Sequence, residues 1–139
     1  MTIDHERITE KIEFMKNNLN KLKELADQEK KDFLNDYRNY DTAKYNLQAT
    51  IKAMIDISTH IISRKEYGKP KTNADSFRIL AENDVIEKGL LSTFVKMSKF
   101  RNRIVHLYDQ IDEGQIYKIL NNNLGDFDEF INIIVKKYL

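Results

Sequence analysis

Apolar residues recur every three or four positions along most of this chain, and this spacing most constrains its fold. The first such stripe is Ile8, Ile12, Met15, Leu19, Leu22 and Ala26. Side chains spaced by three and four residues lie on one face of an α-helix. The 139 residues include only four glycines and one proline, and no strand-like alternation of note occurs. The pattern therefore predicts an all-α protein.

The stripes divide the chain into four main predicted helices and one short helix. The main helices cover about residues 4–26, 29–64, 84–108 and 115–138, and the short helix covers 75–82. Asp4 is the predicted N-cap of the first helix, a break is expected near Asp36, and Gly125 is expected to kink the last helix. Residues 65–73 hold the only proline and read as a loop. These elements predict an antiparallel helical bundle.

The helix predicted to start at residue 84 carries most of the local chemistry of the chain. The string Asp84-Val85-Ile86-Glu87 is a capping-box pattern, which favours a helix start. This helix is expected to bury its apolar residues, which are Ile86, Leu90, Leu91, Phe94, Met97, Ile104 and Val105. Residues 88–108 contain five Lys or Arg and no Asp or Glu, although the net charge of the chain is only +1. The segment is therefore either a confined anion site or a solvated basic face.

Composition and the N-terminal sequence exclude several classes of protein. There is no cysteine, so disulfides, thiolate catalysis and Cys-based zinc sites are excluded. The first residues lack the basic and apolar regions of a signal peptide. No apolar run approaches the ~20 residues of a membrane span. We therefore expect a cytoplasmic protein with no membrane partner.

One motif, R-x4-H-x-Y, combines groups suited to phosphate chemistry. It is formed by Arg101, His106 and Tyr108 near the end of the basic helix. At about 100° per residue, Arg101 and His106 would be about 140° apart around a straight helix. Either the helix ends or distorts near His106, or two chains assemble the site, as in a two-fold dimer.

The residue types of this motif suit the cleavage of RNA. Arginine offers a planar, permanently charged fork for phosphate oxygens, and histidine transfers protons near neutral pH. Asn102 could orient His106 or the substrate, and the RNA 2′-hydroxyl supplies an internal nucleophile. The alternative is structural: Arg101 pairs with a carboxylate such as Asp109 or Asp112, and His106 is a half-buried packing residue.

The other two histidines fit structural roles better than chemical ones. His5 is expected to be solvated at the N-terminus, and His60 to lie at the edge of the core. No His and carboxylate set forms a convincing metal site. The chain has no Gly-rich phosphate loop and no GxSxG turn. No metal and no cofactor are therefore expected.

The chain resembles the HepT-like branch of the HEPN superfamily, the small helical toxins of prokaryotic toxin–antitoxin pairs. The resemblance is carried mainly by Phe100-Arg101-Asn102-Arg103-Ile104-Val105-His106-Leu107-Tyr108. It also includes residues 45–49, 56–62 and 76–80, together with Gly68, Pro70, Met97 and Asp112. It covers about residues 5–139. Arg103 departs from the family pattern, because an apolar residue is common at this position.

The resemblance implies a single HEPN domain over residues 1–139 that forms a homodimer with the motif helices lining a shared cleft. It implies a metal-independent ribonuclease with Arg101 and His106 as the catalytic pair and Asn102 between them. It also implies a cognate MntA-like nucleotidyltransferase antitoxin that blocks the toxin by transferring AMP to Tyr108.

Two alternatives to a ribonuclease toxin stay open from the sequence. The chain could be a non-catalytic HEPN protein that binds a nucleotide or a nucleotidyltransferase, with Arg101 and His106 serving only recognition. It could also be a purely structural helical adaptor.

Overall fold

The computed structural model describes residues 2–106 and 111–139, and all its regular elements are helices. They are α1 (His5–Ala26), α2 (Lys30–Leu34), α3 (Tyr37–Lys65), α4 (Asn73–Glu82), α5 (Lys88–Val105), α6 (Glu113–Asn122) and α7 (Leu124–Tyr138). The all-α prediction is confirmed. None of the described helices is long and apolar enough to span a bilayer.

The long helix α3 is the centre of the bundle, with α1, α2, α4, α5 and α6 packed against it. Helices α1 and α3 are antiparallel, because the backbone N–H of Asp4 meets His60 whereas Lys11, further along α1, meets Asp56, earlier in α3. Asn73 at the start of α4 likewise lies near Asn102 at the end of α5. One continuous apolar core results, and five of its fully buried side chains are Phe33, Phe77, Phe94, Phe127 and Phe130.

The predicted start of α1 and the break before α3 are both confirmed by N-caps. The carboxylate of Asp4 accepts a hydrogen bond from the backbone N–H of Arg7 at 3.1 Å. The carboxylate of Asp36 accepts one from the backbone N–H of Arg38 at 2.9 Å. Each cap satisfies an N–H group that the first turn of a helix leaves without a partner.

The predicted capping box at residues 84–87 is wrong. Helix α5 begins at Lys88, and Glu87 forms no side-chain cap. Asp84 instead ends α4 with a left-handed φ of 58°, and Val85 donates its backbone N–H to the carbonyl of Leu80 at 2.9 Å. This six-to-one bond is typical of a helix C-terminus. A capping box is formed instead by Thr72 and Asp75 at the start of α4.

The predicted last helix is two helices, separated at Asn123. Asn123 leaves helical geometry at φ −122° and ψ −2°, and its side-chain amide donates to Asp126 at 3.4 Å. Asparagine favours such helix ends because its side chain bonds to groups near its own backbone. The kink expected at Gly125 is therefore wrong, since Gly125 lies within α7.

Helix α5 is more exposed than its sequence predicts. Phe94 and Ser98 are its only fully buried residues, whereas Leu90, Leu91, Met97 and Ile104 are half-buried. Val105, which we expected in the core, is 45% exposed. The reason is geometric: α5 packs mainly against α3 and α4 and leaves the rest of its surface open.

Candidate functional site

The motif lies where the end of α5 meets the start of α4 and the first half of α3. Arg101 is half-buried, and its Nε donates to Oε1 of Gln48 on α3 at 3.4 Å. Asn102 is exposed, and its Oδ1 accepts a hydrogen bond from Nδ2 of Asn73 at 3.5 Å. Two neighbouring residues of α5 are thus directed towards two different helices.

Helix α5 ends between the two members of the R-x4-H pair. Val105 is its last residue, and His106 has an extended backbone with φ −81° and ψ 120°. The 140° separation of a straight helix therefore does not apply to His106. This is the first of the two solutions that the sequence allowed, a helix that ends near His106.

His106 is exposed and lines a cavity of about 860 Å³ between α2, α3 and the start of α6. Its charged lining residues include Lys30 and Lys44 as well as Asp112 and Glu113. Tyr40 helps to hold this wall together. Its hydroxyl donates to the carbonyl of Ile111 at 2.5 Å, and the Nζ of Lys44 lies 4.8 Å from its ring centroid.

The structure does not bring all the predicted site residues together within one chain. Arg101 is absent from the described residues that line the cavity of His106. Tyr108 and Asp109 lie outside the described residues, so the role expected for Tyr108 stays a prediction. The described residues do not support the structural alternative, in which Arg101 pairs with a carboxylate and His106 is a half-buried packing residue. Among the described residues Arg101 forms no ion pair, with Asp112 or any other group, and His106 is exposed rather than half-buried.

The other histidines take the places expected of them. His5 is exposed, and His60 is 8% exposed with its Nε2 accepting the backbone N–H of Asp4 at 3.1 Å. Burial, helped by the positive charges of Arg64 and Arg7, lowers the pKa of His60 below its usual value. A neutral ring is the form that can accept this hydrogen bond. Within residues 2–106 and 111–139, no group of three His, Asp or Glu side chains could hold a metal ion.

Sequence reasoning gave no role to three of the residues now found at the site. Gln48 contacts Arg101, Asn73 contacts Asn102, and Lys44 faces the cavity of His106. Gln48 lies in one of the segments that carried the family resemblance, which was the only signal for it. Nothing in the sequence links Asn73 or Lys44 to the motif, because the fold alone brings them near.

Comparison with known proteins places these residues in a family. The family model "Ribonuclease HepT-like" matches residues 15–134. An mRNA nuclease HepT of Shewanella oneidensis is 34% identical over 102 residues, which are 73% of this chain and 77% of that protein. A tRNA nuclease HepT of Aphanizomenon flos-aquae is 28% identical over 127 residues, or 91% and 86% of the two chains.

Two solved structures share the fold with a TM-score of 0.89 each. One is a toxin–antitoxin with AMP-PNP, 28% identical, and the match covers 96% of this chain and 100% of that one. The other is a tri-AMPylated Shewanella oneidensis HEPN toxin in complex with MNT antitoxin, 29% identical with the same coverage. The family match includes α5 and the complete R-x4-H-x-Y motif. The chain therefore belongs to the HepT-like ribonuclease family.

Proposed function

We propose that this protein is the toxin of a toxin–antitoxin pair and cleaves RNA without a metal ion, using Arg101 and His106. The observation that carries the proposal is that α5 ends between these two residues, in a chain of the HepT-like ribonuclease family. The end of the helix gives His106 an exposed position at a cavity large enough for a nucleotide. The named nucleases act on mRNA in one case and tRNA in the other, so both are candidate substrates.

Each residue of the motif has a defined part in the proposed reaction. His106 accepts the proton of the RNA 2′-hydroxyl as the 2′-oxygen forms a bond to phosphorus and the bond from phosphorus to the 5′-oxygen breaks. The products are a 2′,3′-cyclic phosphate and a 5′-hydroxyl, whose proton comes from water or an imidazolium. Arg101 stabilises the negative charge that increases on the phosphate oxygens. Asn102 supports the substrate or His106.

A second copy of the chain is the proposed source of the rest of the site. Arg101 and His106 are directed to different neighbours within one chain, so a cleft shared by two chains would let them act on one phosphate. Two exposed apolar groups flank the contact between Arg101 and Gln48. They are Tyr45, which is 65% exposed and one turn before Gln48, and Val105, which is 45% exposed and one turn after Arg101. Exposed apolar groups of this kind are typical of protein interfaces.

The proposed partner is an MntA-like nucleotidyltransferase antitoxin that modifies Tyr108. The phenolic oxygen of Tyr108 would attack the α-phosphorus of ATP, forming a tyrosine–AMP ester and releasing pyrophosphate, while a base of the antitoxin takes the proton. Tyr108 follows His106 by two residues, and two residues of chain span at most about 7 Å. The added phosphate and adenine would therefore obstruct the approach of RNA to His106. The AMPylated Shewanella toxin in complex with its antitoxin supports this proposal.

The test is RNA cleavage by the purified protein in the presence of EDTA. We expect cleavage to persist in EDTA and to fall at least 100-fold in His106→Ala and Arg101→Ala, because general acid–base catalysis alone contributes about 10²–10⁴-fold. His5→Ala is the matched control, since His5 is also exposed but lies at the start of α1. Arg101→Lys separates charge from geometry, because lysine keeps the charge but loses the planar fork.

Three results would contradict parts of the proposal. Intact RNA with the wild-type dimer would favour the non-catalytic alternative, in which the motif only binds a nucleotide or a nucleotidyltransferase. If light scattering gives the mass of a single chain in solution, the proposed cleft between two chains is contradicted. AMP transfer by the antitoxin to Tyr108→Phe at the wild-type level would remove the role of Tyr108.

A further inference from the structure

A second groove, separate from the cavity of His106, lies between α5, α3 and the junction of α6 with α7. Its volume is about 410 Å³, and the described residues that line it are all different from those that line the cavity of His106. Its floor is apolar and is formed by Leu47, Ile51, Met97, Phe100, Ile119 and Phe127. Phe100 is half-buried and is one of the residues that line the groove.

The rim of this groove on the α5 side is positively charged. The described residues that line it include Lys96, Lys99 and Arg103 and one acidic residue, Asp126. Lys96 and Lys99 are exposed, and neither forms an ion pair within the part of the chain that the structure describes. Lys96 and Arg103 are two helical turns apart, or about 10.5 Å along the axis. The cations thus form a row along the groove.

We propose that this groove binds a single-stranded segment of the RNA substrate, with a base on the ring of Phe100 and phosphates at Lys96 and Lys99. The proposal rests on the proposed ribonuclease function, to which it adds a binding subsite. Proteins bind single strands with an aromatic platform for the bases and cations for the backbone, and this groove has both. Helix α5 would then hold the strand on one side and present Arg101 to the phosphate on the other.

The carboxylates of an acidic peptide would pair with the lysines, but they would not stack on the ring of Phe100. The apolar floor and the volume of the groove suit one flat base better. We therefore commit to RNA, and binding of a protein partner is an outcome that the experiment distinguishes.

The test measures binding of a fluorescent single-stranded RNA to the full chain carrying His106→Ala, at several salt concentrations. For single strands, the slope of log K against log[salt] changes by about 0.7 for each phosphate contact. The double variant Lys96→Gln/Lys99→Gln should therefore reduce this slope by about 1.4. Glutamine is used because its helix propensity is close to that of lysine. Phe100→Leu should weaken binding about tenfold with the slope unchanged, since it removes stacking but no charge.

The matched control is Lys16→Gln/Lys21→Gln, which removes the same charge from two exposed lysines of α1. It should leave the slope unchanged. Equal slopes for the wild type, the groove variant and the control would overturn the proposal. So would a groove variant that binds RNA normally but no longer binds the antitoxin.

Failure of the groove and failure of the proposed function are distinguishable. If the wild type cleaves RNA and the groove variant binds RNA as well as the wild type, the proposed role of the groove is refuted and the ribonuclease function is not. If the salt dependence of RNA binding depends on Lys96 and Lys99 but the protein never cleaves RNA, the ribonuclease function is refuted and the role of the groove is supported.

Discussion

Phe94 attaches the helix of the candidate site to the core, and its substitution should lower the free energy of unfolding substantially. It is the only fully buried apolar residue of α5, the helix that carries Arg101. Its ring centroid lies 5.7 Å from that of Phe77 and 5.6 Å from that of Phe130, the latter edge-on at 89°. Phe94→Ala therefore removes a buried ring together with two aromatic contacts.

The expected loss follows from burial and ring contacts. Truncating a buried Phe to Ala costs about 3–5 kcal/mol, and the two ring pairs place this case near about 4 kcal/mol. For a domain of this size, that corresponds to a fall in melting temperature of roughly 10–15 °C. Phe94→Leu keeps more of the volume and should cost about half as much.

Urea denaturation followed by circular dichroism is the measurement, at one fixed protein concentration because dimerisation would add to stability. The matched control is Phe14→Ala, since Phe14 is 45% exposed on α1. It should change the free energy of unfolding by less than about 1 kcal/mol. Equal losses for Phe94→Ala and Phe14→Ala would refute the reasoning that Phe94 anchors α5.

Three further predictions concern pH, backbone and the motif. His60 has a lowered pKa in the folded state, so the unfolded chain binds more protons. The contribution of His60 to the free energy of unfolding should be fully present above pH ~6.5, the pKa of histidine in the unfolded chain, and should be lost as the pH falls towards the lower pKa of the folded state. In urea titrations at several pH values, His60→Gln should reduce this pH dependence, and His5→Gln should not. Gly68 has a φ of 129° whereas Gly89 is helical with open space around it, so thermal melts should show Gly68→Ala destabilising by about 1 kcal/mol or more and Gly89→Ala stabilising by about 0.4–1 kcal/mol. Gln48→Ala removes the acceptor of the Arg101 Nε and should lower kcat for RNA cleavage about fivefold to tenfold; an unchanged kcat would show that Gln48 does not position Arg101.

Most of the fold could be predicted from the sequence because it depends on local rules. The helix periodicity, the cap at Asp4, the break near Asp36 and the loop before α4 all follow from neighbouring residues. Two of the errors, at Asp84 and at Gly125, concern segments with competing local choices. Asp84 resembles an N-cap by sequence, but it ends the preceding helix. Asn123, not Gly125, separates α6 from α7, because its backbone leaves helical geometry and its side chain bonds to Asp126 in the first turn of α7.

The candidate site was predictable in its residue types but not in its arrangement. The spacing of Arg101 and His106 required either a helix end or a second chain, and the sequence could not choose between them. The structure ends α5 at Val105, so the helix end is part of the answer. The contact of Arg101 with Gln48 joins positions 53 residues apart, and no local pattern reports such a pairing.

By itself, the sequence determined the all-α class and most helix boundaries, because both depend on residue types at short spacing. Its resemblance to a family extends over nearly the whole chain and was visible without the structure. Only the tertiary structure decided which groups surround the motif. Packing of α5 against α3 and α4 buries Phe94, leaves Val105 exposed and places Lys96 and Lys99 beside an apolar groove. A helix has the same periodicity wherever it packs, so its sequence cannot say which of its faces a distant segment will cover.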